Sequence, residues 1–106
     1  MKNYVYIYYA DPGQAMGDED QMAAMKKMWM DWFGSMGDKL VDGGNPFGPG
    51  AKAVSKDGVM DVKEMPATGY SIVKAESHDQ AVEWSKGCPV LQQPGGAVCV
   101  YETMPM

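Results

Sequence analysis

The sequence has no arginine, and all nine of its basic residues are lysines. Sites that recognise carboxylate or phosphate usually rely on the planar fork of arginine, so its absence argues against a nucleotide-binding enzyme. The formal net charge of −5 also argues against a nucleic-acid partner, because binding to phosphates requires clustered cations.

Histidine and cysteine are almost as scarce as arginine. His78 is the single histidine, and Cys88 and Cys99 are the two cysteines, with no CxxC motif. Transition-metal sites usually draw on several such ligands, so we expect no metal and no other cofactor. We expect His78 at the surface, Cys99 in the core and Cys88 to be unreactive, because a helix C-terminus raises thiol pKa.

Long apolar runs are absent too. No stretch of about 18 uncharged apolar residues occurs, so we expect no membrane-spanning helix. Residues 1–7 alternate like a strand and lack the apolar segment and cleavage site of a signal peptide, which predicts a cytoplasmic location. With 106 residues, of which 45% are hydrophobic, the chain has room for one domain with one core.

Periodicity along the chain predicts a definite order of elements. Alternation over residues 3–9 predicts a strand, and further strands are predicted at 39–42, 68–75 and 97–102, with a weak hairpin at 51–65. A second helix is predicted between the Ser77 cap and Gly87, with Ala81, Val82, Trp84 and Ser85 on its buried side. The first helix, 18–37, is predicted from an apolar stripe at intervals of three and four residues, namely Met22, Met25, Trp29, Trp32 and Met36.

The order β-α-β, hairpin, β-α-β is typical of an α+β, ferredoxin-like domain with two helices on one face of an antiparallel sheet. We assign the row Tyr4, Tyr6 and Tyr8, together with Tyr70 and Ile72, to the face that the helices leave uncovered. A large apolar sheet face is normally covered, and the simplest cover is a second copy of the chain. The prediction is therefore a homodimer in which two sheets face each other, a dimeric α+β barrel.

Several segments resemble the YCII-related family, also called the DGPF-domain family. They are the opening Tyr4–Tyr9, residues 37–44, the Asp57-Gly58 turn and, most closely, residues 68–84 followed by Gly87-Cys88-Pro89. We therefore expect residues 1–106 to form a single YCII-like domain in which 42–66 are a loop and hairpin insertion. The resemblance implies a dimeric α+β barrel of the ferredoxin-like type, with a pocket between sheet and helices.

The chain departs from part of that family's pattern. Some members carry a His–Asp pair proposed to be catalytic, and one activity in the group is dehalogenation of a chlorinated lactone. This sequence has no histidine in the predicted first helix, and Cys88 precedes Pro89 where those members place the aspartate. The His–Asp chemistry therefore does not transfer to this chain.

Asp42 and Asn45 flank the pair Gly43-Gly44 at the end of a predicted strand. The glycines would let backbone N–H groups approach a ligand, while Asp42 would act as a base or hydrogen-bond acceptor. The alternative is that Asp42 and Asn45 only form the turn.

Aromatic residues supply the other candidates. Trp29 and Trp32 either line a ligand pocket or simply belong to the core. The tyrosines of the row either offer their hydroxyls as hydrogen-bond donors inside the barrel or pack in the dimer interface. The predicted ligand pocket consists of Tyr6, Tyr8, Trp29, Trp32, Asp42 and Asn45.

The function we expect is binding of a small organic molecule in this pocket by a homodimer. If the protein is an enzyme, it works without a metal, and Asp42 is the candidate catalytic residue. Two alternatives stay open at this point. One is a non-catalytic dimeric interaction module, and the other is a cofactor-free monooxygenase of the kind found among dimeric α+β barrels.

Overall fold

The structure is a computed structural model that describes residues 1–10, 19–48, 50–62 and 67–104. This part of the chain has the predicted α+β character. Its strands are β1 (Lys2–Tyr9), β2 (Leu40–Asp42), β3 (Lys52–Ser55), β4 (Gly58–Asp61), β5 (Ala67–Ala75) and β6 (Ala97–Glu102). Its helices are α1 (Glu19–Met36) and α2 (His78–Ser85), with short 3-10 turns at Gly37–Lys39 and Pro89–Gln92.

Strands β2, β5, β1 and β6, in that order, form one antiparallel sheet of four strands. Within it, Tyr6 lies opposite Ser71 of β5 and Val100 of β6. Because directly opposed residues of antiparallel strands share a face, this register fixes which side chains of the three strands lie together.

The tyrosine row of β1 lies beneath the helices, and the prediction that it lies on the uncovered face is wrong. Tyr4, Tyr6 and Tyr8 are all buried. The Tyr6 ring stacks on Trp32 of α1, and its hydroxyl donates a hydrogen bond of 2.5 Å to the carbonyl oxygen of Ala81 in α2. Both helices therefore pack on the tyrosine side of the sheet.

The pairing between β1 and β5 explains this outcome. Tyr8 lies opposite Gly69 and Tyr6 lies opposite Ser71, so small residues stand beside the large rings and leave space for side chains of the helices. On the other face, Ile7 is opposed by the bulky Tyr70. Alternation along β1 shows that the strand has two apolar faces, but only the partner strand decides which one the helices cover.

The second face of the sheet, which we call the open face, is covered by neither helix. Tyr70 and Ile72 lie on it, as predicted. Its side chains are half-buried in the single chain, apart from Tyr101, which is 54% exposed. The open face is lined by Val5, Ile7, Tyr9, Tyr70, Ile72, Cys99 and Tyr101.

Helix α1 buries only the later part of its apolar stripe. Trp32 and Met36 are buried, whereas Met22 is 47% exposed. Gly37, the last residue of the predicted range, follows the helix with φ 54°, the left-handed conformation that commonly ends a helix. The predicted start at residue 18 lies outside the described residues.

Helix α2 begins where its cap predicts. The Ser77 hydroxyl accepts a hydrogen bond of 3.1 Å from the backbone N–H of Gln80, which satisfies one of the free donors of the first turn. Ala81 and Ser85 are buried, but Val82 is 38% exposed, so its assignment to the buried side was wrong. Of the two helices in the described ranges, neither has the length and apolarity needed to cross a bilayer.

Strands β3 and β4 form a separate two-stranded hairpin. All of their residues are exposed, and an ion pair joins Lys52 to Asp61 across the open end. The hairpin confirms the prediction for residues 51–65 as far as the structure describes them; residues 63–65 lie outside the described part.

Candidate functional site

Helix α1 places two tryptophans on the tyrosines of β1. Trp29 and Trp32 are one helical turn apart, and their ring centroids lie 4.9 and 6.5 Å from that of Tyr8. Phe33 packs beside both indoles, at 5.6 Å from Trp29 and 5.4 Å from Trp32. With Tyr6, which stacks on Trp32 at 6.0 Å, these residues form what we call the aromatic cluster: Tyr6, Tyr8, Trp29, Trp32 and Phe33.

The Tyr8 hydroxyl is buried without a hydrogen bond. The residue is 4% exposed, and its hydroxyl oxygen has no hydrogen-bond partner among the described residues. A buried polar group left unpaired costs about 1–3 kcal/mol, and native proteins keep few of them. The neighbouring Tyr6 ring is 6.5 Å away, and its hydroxyl donates to the carbonyl oxygen of Ala81.

Both phenols of the cluster are held in their neutral form. Burial is the main cause that raises the pKa of Tyr6 and of Tyr8 above the usual tyrosine value. Ser71 lies close enough to offset part of the rise at Tyr8. The Ser71 hydroxyl donates its own proton to the carbonyl oxygen of Gly43 at 2.7 Å. The Tyr8 hydroxyl itself has no partner within hydrogen-bond distance among the described residues.

Cys88 packs against the cluster and is 1% exposed. Burial raises the pKa of its thiol to about 12, so the thiol is protonated and a poor nucleophile, as predicted. The predicted cause was the helix end, whereas burial is the cause in the structure. Cys99 was expected in the core but is only half-buried, opposite Ile7 on the open face.

Asp42 is the last residue of β2, and Asn45 lies in the loop that follows; both are exposed. The Oδ1 atom of Asp42 accepts a hydrogen bond of 2.8 Å from the backbone N–H of Gly44, the geometry of a side chain that forms a turn. Gly44 has φ 73°, and a Cβ there would lie 1.8 Å from the Tyr70 carbonyl oxygen. Only glycine fits at this position, and Asp42 holds the loop in place.

This loop approaches the aromatic cluster through its backbone. The hydrogen bond from Ser71 to Gly43 is one link. The second is at Gly69, where a Cβ would lie 3.2 Å from the Asn45 carbonyl oxygen and 3.6 Å from Cδ2 of Tyr8. Of the six predicted pocket residues, the structure therefore brings together Tyr6, Tyr8, Trp29 and Trp32, while the side chains of Asp42 and Asn45 remain at the surface.

Ser71 and Phe33 belong to this site but were not predicted as part of it. Ser71 is fully buried, although it is polar. The signal for it was in the sequence, because it occupies an inward position of a strand whose other inward residues are small or apolar. Phe33 lies in the predicted first helix, directly after Trp32 of its apolar stripe.

His78 lies at the surface, as predicted. A ring nitrogen is 3.0 Å from the Val100 carbonyl oxygen, and the ring lies 5.4 Å from that of Tyr4. Across the described ranges, no three His, Cys, Asp or Glu side chains are grouped so that they could hold a metal ion. Two shallow depressions, of about 460 and 400 Å³, lie on the hairpin and beside the N-terminus, and the aromatic cluster lines neither of them.

Comparison of the sequence with models of protein families gives one match. The model of the YCII-related domain matches residues 2–106, which is nearly the entire chain. The comparison with curated proteins gave no significant match. The family resemblance drawn from the sequence is thereby confirmed, and the chain belongs to the YCII-related family.

Proposed function

We propose that the protein is a homodimer that binds a small organic molecule at the aromatic cluster, between the sheet and the helices. The observation that carries this proposal is the buried, unpaired hydroxyl of Tyr8. A ligand with a hydrogen-bond acceptor would satisfy that donor and remove the cost of leaving it unpaired. The proposal is one of binding, and it assigns no reaction.

The surroundings of Tyr8 have the composition of a ligand site. Such sites are lined mainly by apolar and aromatic side chains, with a few polar groups that orient the ligand. Here the walls are Trp29, Trp32 and Phe33, and the polar groups are the Tyr8 hydroxyl and Ser71. Trp29 is only half-buried, so the cluster reaches the surface along α1.

The third tryptophan provides a matched control for a binding experiment. Trp84 is half-buried on α2, outside the cluster, with the Nζ atom of Lys39 5.5 Å from its ring centroid. A library of small organic compounds would be measured by thermal shift on the wild type, Trp29→Ala and Trp84→Ala. We expect compounds whose stabilisation is lost in Trp29→Ala and kept in Trp84→Ala. Ligands that bind all three proteins equally would contradict a site at the cluster.

The dimer is the second part of the proposal. The sheet has β1 and β5 at its centre and β2 and β6 at its edges, with both helices on one face, an order that supports a ferredoxin-like fold. The open face presents Ile7, Ile72 and Tyr70 without a covering helix. Packing two open faces together would remove apolar surface from water on both copies and form a dimeric α+β barrel.

The two cysteines test the dimer from opposite sides of the sheet. Cys88 is buried with the aromatic cluster, and Cys99 is half-buried on the open face. We expect the thiol of Cys99 to react slowly with a thiol reagent at high protein concentration and faster on dilution, while Cys88 stays protected throughout. Cys88→Ala and Cys99→Ala identify the two signals. Rapid reaction of Cys99 at every concentration, or a stable monomer by sedimentation at micromolar concentration, would contradict the dimer.

A non-catalytic dimeric interaction module is the second candidate. It is favoured by the mutual contacts of the five aromatic rings, which pack on one another between α1 and the sheet. Under this alternative the protein dimerises, but no compound of the library stabilises it. The binding and sedimentation measurements together therefore separate the two candidates.

A further inference from the structure

The hydrogen-bonding groups around Tyr8 define the kind of ligand that the cluster can accept. Three hydroxyls lie near one another here, and two of them already donate. Tyr6 donates to the Ala81 carbonyl oxygen, and Ser71 donates to the Gly43 carbonyl oxygen. Of the three hydroxyls, only that of Tyr8 has no acceptor for its proton among the described residues, so the site offers one donor to an acceptor atom of a ligand.

Among the residues that the structure describes, no ionised side chain belongs to this environment. The cluster itself consists of tyrosine, tryptophan and phenylalanine, and the adjoining polar residues are Ser71 and Cys88, both neutral. The raised pKa values of Tyr8 and Cys88 keep both groups protonated near pH 7. A ligand anion placed here would lose its hydration without gaining an opposite charge, which is strongly unfavourable.

The ring geometry adds a preference for flat molecules. Trp29 meets Tyr8 edge to face, with 73° between the ring planes, and meets Trp32 at 79°. Arrangements of this kind present both ring faces and ring edges, and aromatic ligands gain from either contact. Flat ring systems also lose little conformational entropy when they are immobilised.

We propose that the ligand is an uncharged, ring-containing molecule whose carbonyl or comparable acceptor takes the hydrogen bond of the Tyr8 hydroxyl. This inference rests on the proposed function, because it requires that the aromatic cluster bind a ligand at all. It adds the chemical class of that ligand and makes Tyr8 the residue that selects it.

Three probes of similar size test the inference. Acetophenone has a ring and a neutral acceptor, ethylbenzene has the ring without an acceptor, and benzoate has the ring with an anionic acceptor. Dissociation constants would be measured by tryptophan fluorescence and ligand-observed NMR on the wild type, Tyr8→Phe and Tyr4→Phe. Tyr4 is the control, since it lies in the same row but its hydroxyl is 3.4 Å from Glu102, outside the cluster.

We expect the wild type to bind acetophenone about tenfold more tightly than ethylbenzene, and benzoate more weakly than either. Tyr8→Phe should abolish the difference between acetophenone and ethylbenzene, and Tyr4→Phe should preserve it. Tighter binding of benzoate, or an acetophenone preference that survives in Tyr8→Phe, would overturn the inference; the latter result would mean that another group makes the hydrogen bond to the ligand.

The outcome also separates this inference from the proposed function. If none of the three probes binds, while library compounds sensitive to Trp29→Ala exist, the ligand class is wrong and the site stands. If no library compound binds either, the site itself is wrong, and the inference falls with it.

Discussion

The two faces of the four-stranded sheet carry similar side chains but differ in what those side chains contact. On the tyrosine side, Tyr6 is fully buried, stacked on Trp32 and hydrogen-bonded to α2. On the open face, the alternate residues Val5 and Ile7 of the same strand are only half-buried. The difference shows that residue type makes both faces of β1 apolar, whereas the choice of core face depends on the space left by β5.

The prediction with the largest expected effect concerns the tyrosine side of the sheet, which the helices cover. Trp32 is 9% exposed and contacts Tyr6, Tyr8, Trp29 and Phe33, so Trp32→Ala would leave a cavity among packed rings. We expect the free energy of unfolding to fall by about 3–5 kcal/mol, measured by urea denaturation. Tyr101→Ala on the open face is the control, and its cost should be below about 1 kcal/mol in the monomer. Equal losses for the two variants would erase the distinction between the faces.

The next prediction concerns the open face in the proposed dimer. Ile7→Lys places a charge at the centre of that face without touching the tyrosine side. We expect the dissociation constant of the dimer to rise at least about a hundredfold, or about 2.7 kcal/mol, in sedimentation experiments. Met30→Lys, at a position 63% exposed on α1, should leave the dimer unchanged. A dimer that tolerates Ile7→Lys would place its interface elsewhere.

Alkaline pH should destabilise the packing on the tyrosine side of the sheet, because it ionises the buried thiol of Cys88. Its pKa of about 12 in the folded protein lies above the value of about 8.5 for a thiol in an unfolded chain. Its contribution to stability is therefore complete below pH about 8.5 and is lost as the pH rises towards 12. When the pH is raised from 8 to 10, the free energy of unfolding should fall by about 1–2 kcal/mol less in Cys88→Ala than in the wild type. Cys99→Ala is the control, and it should follow the wild type.

The smallest predicted effects come from removing single hydroxyls, and they have opposite signs. Tyr6→Phe deletes a hydrogen bond and should lower the unfolding free energy by about 1 kcal/mol. Tyr8→Phe deletes an unpaired buried hydroxyl and should raise it by about 1 kcal/mol in the absence of ligand. Chemical denaturation of both variants beside the wild type gives the signs directly. Destabilisation by Tyr8→Phe would mean that its hydroxyl is already satisfied.

Local patterns in the sequence were sufficient to predict the helices and strands. The cap at Ser77, the left-handed residue Gly37 and the alternation of residues 68–75 each depend on interactions within a few residues, and the structure has all three. The hairpin was predicted from its Asp57-Gly58 turn for the same reason. Short-range interactions of this kind can be predicted from the sequence without knowledge of the tertiary contacts.

The placement of the tyrosines and the role of Asp42 were not predictable in this way. Whether Tyr6 faces helices or a partner depends on Ser71, which is distant in sequence and is placed by strand register. Asp42 had a turn-forming and a chemical interpretation, and the sequence alone could not decide between them, since the same carboxylate suits both. The hydrogen bond from the Gly44 N–H shows that the carboxylate forms the turn.

The exposed hairpin, finally, has a consequence for how the chain can be altered. A two-stranded hairpin without a packed face is at best marginally stable, so we expect the amides of β3 and β4 to exchange hydrogen fastest among the strands. The turn at Lys56-Asp57 should accept inserted peptides, tags or a protease cleavage site while the four-stranded sheet keeps its pairing. This arm is thus the natural attachment point for a label that reports on the rest of the molecule.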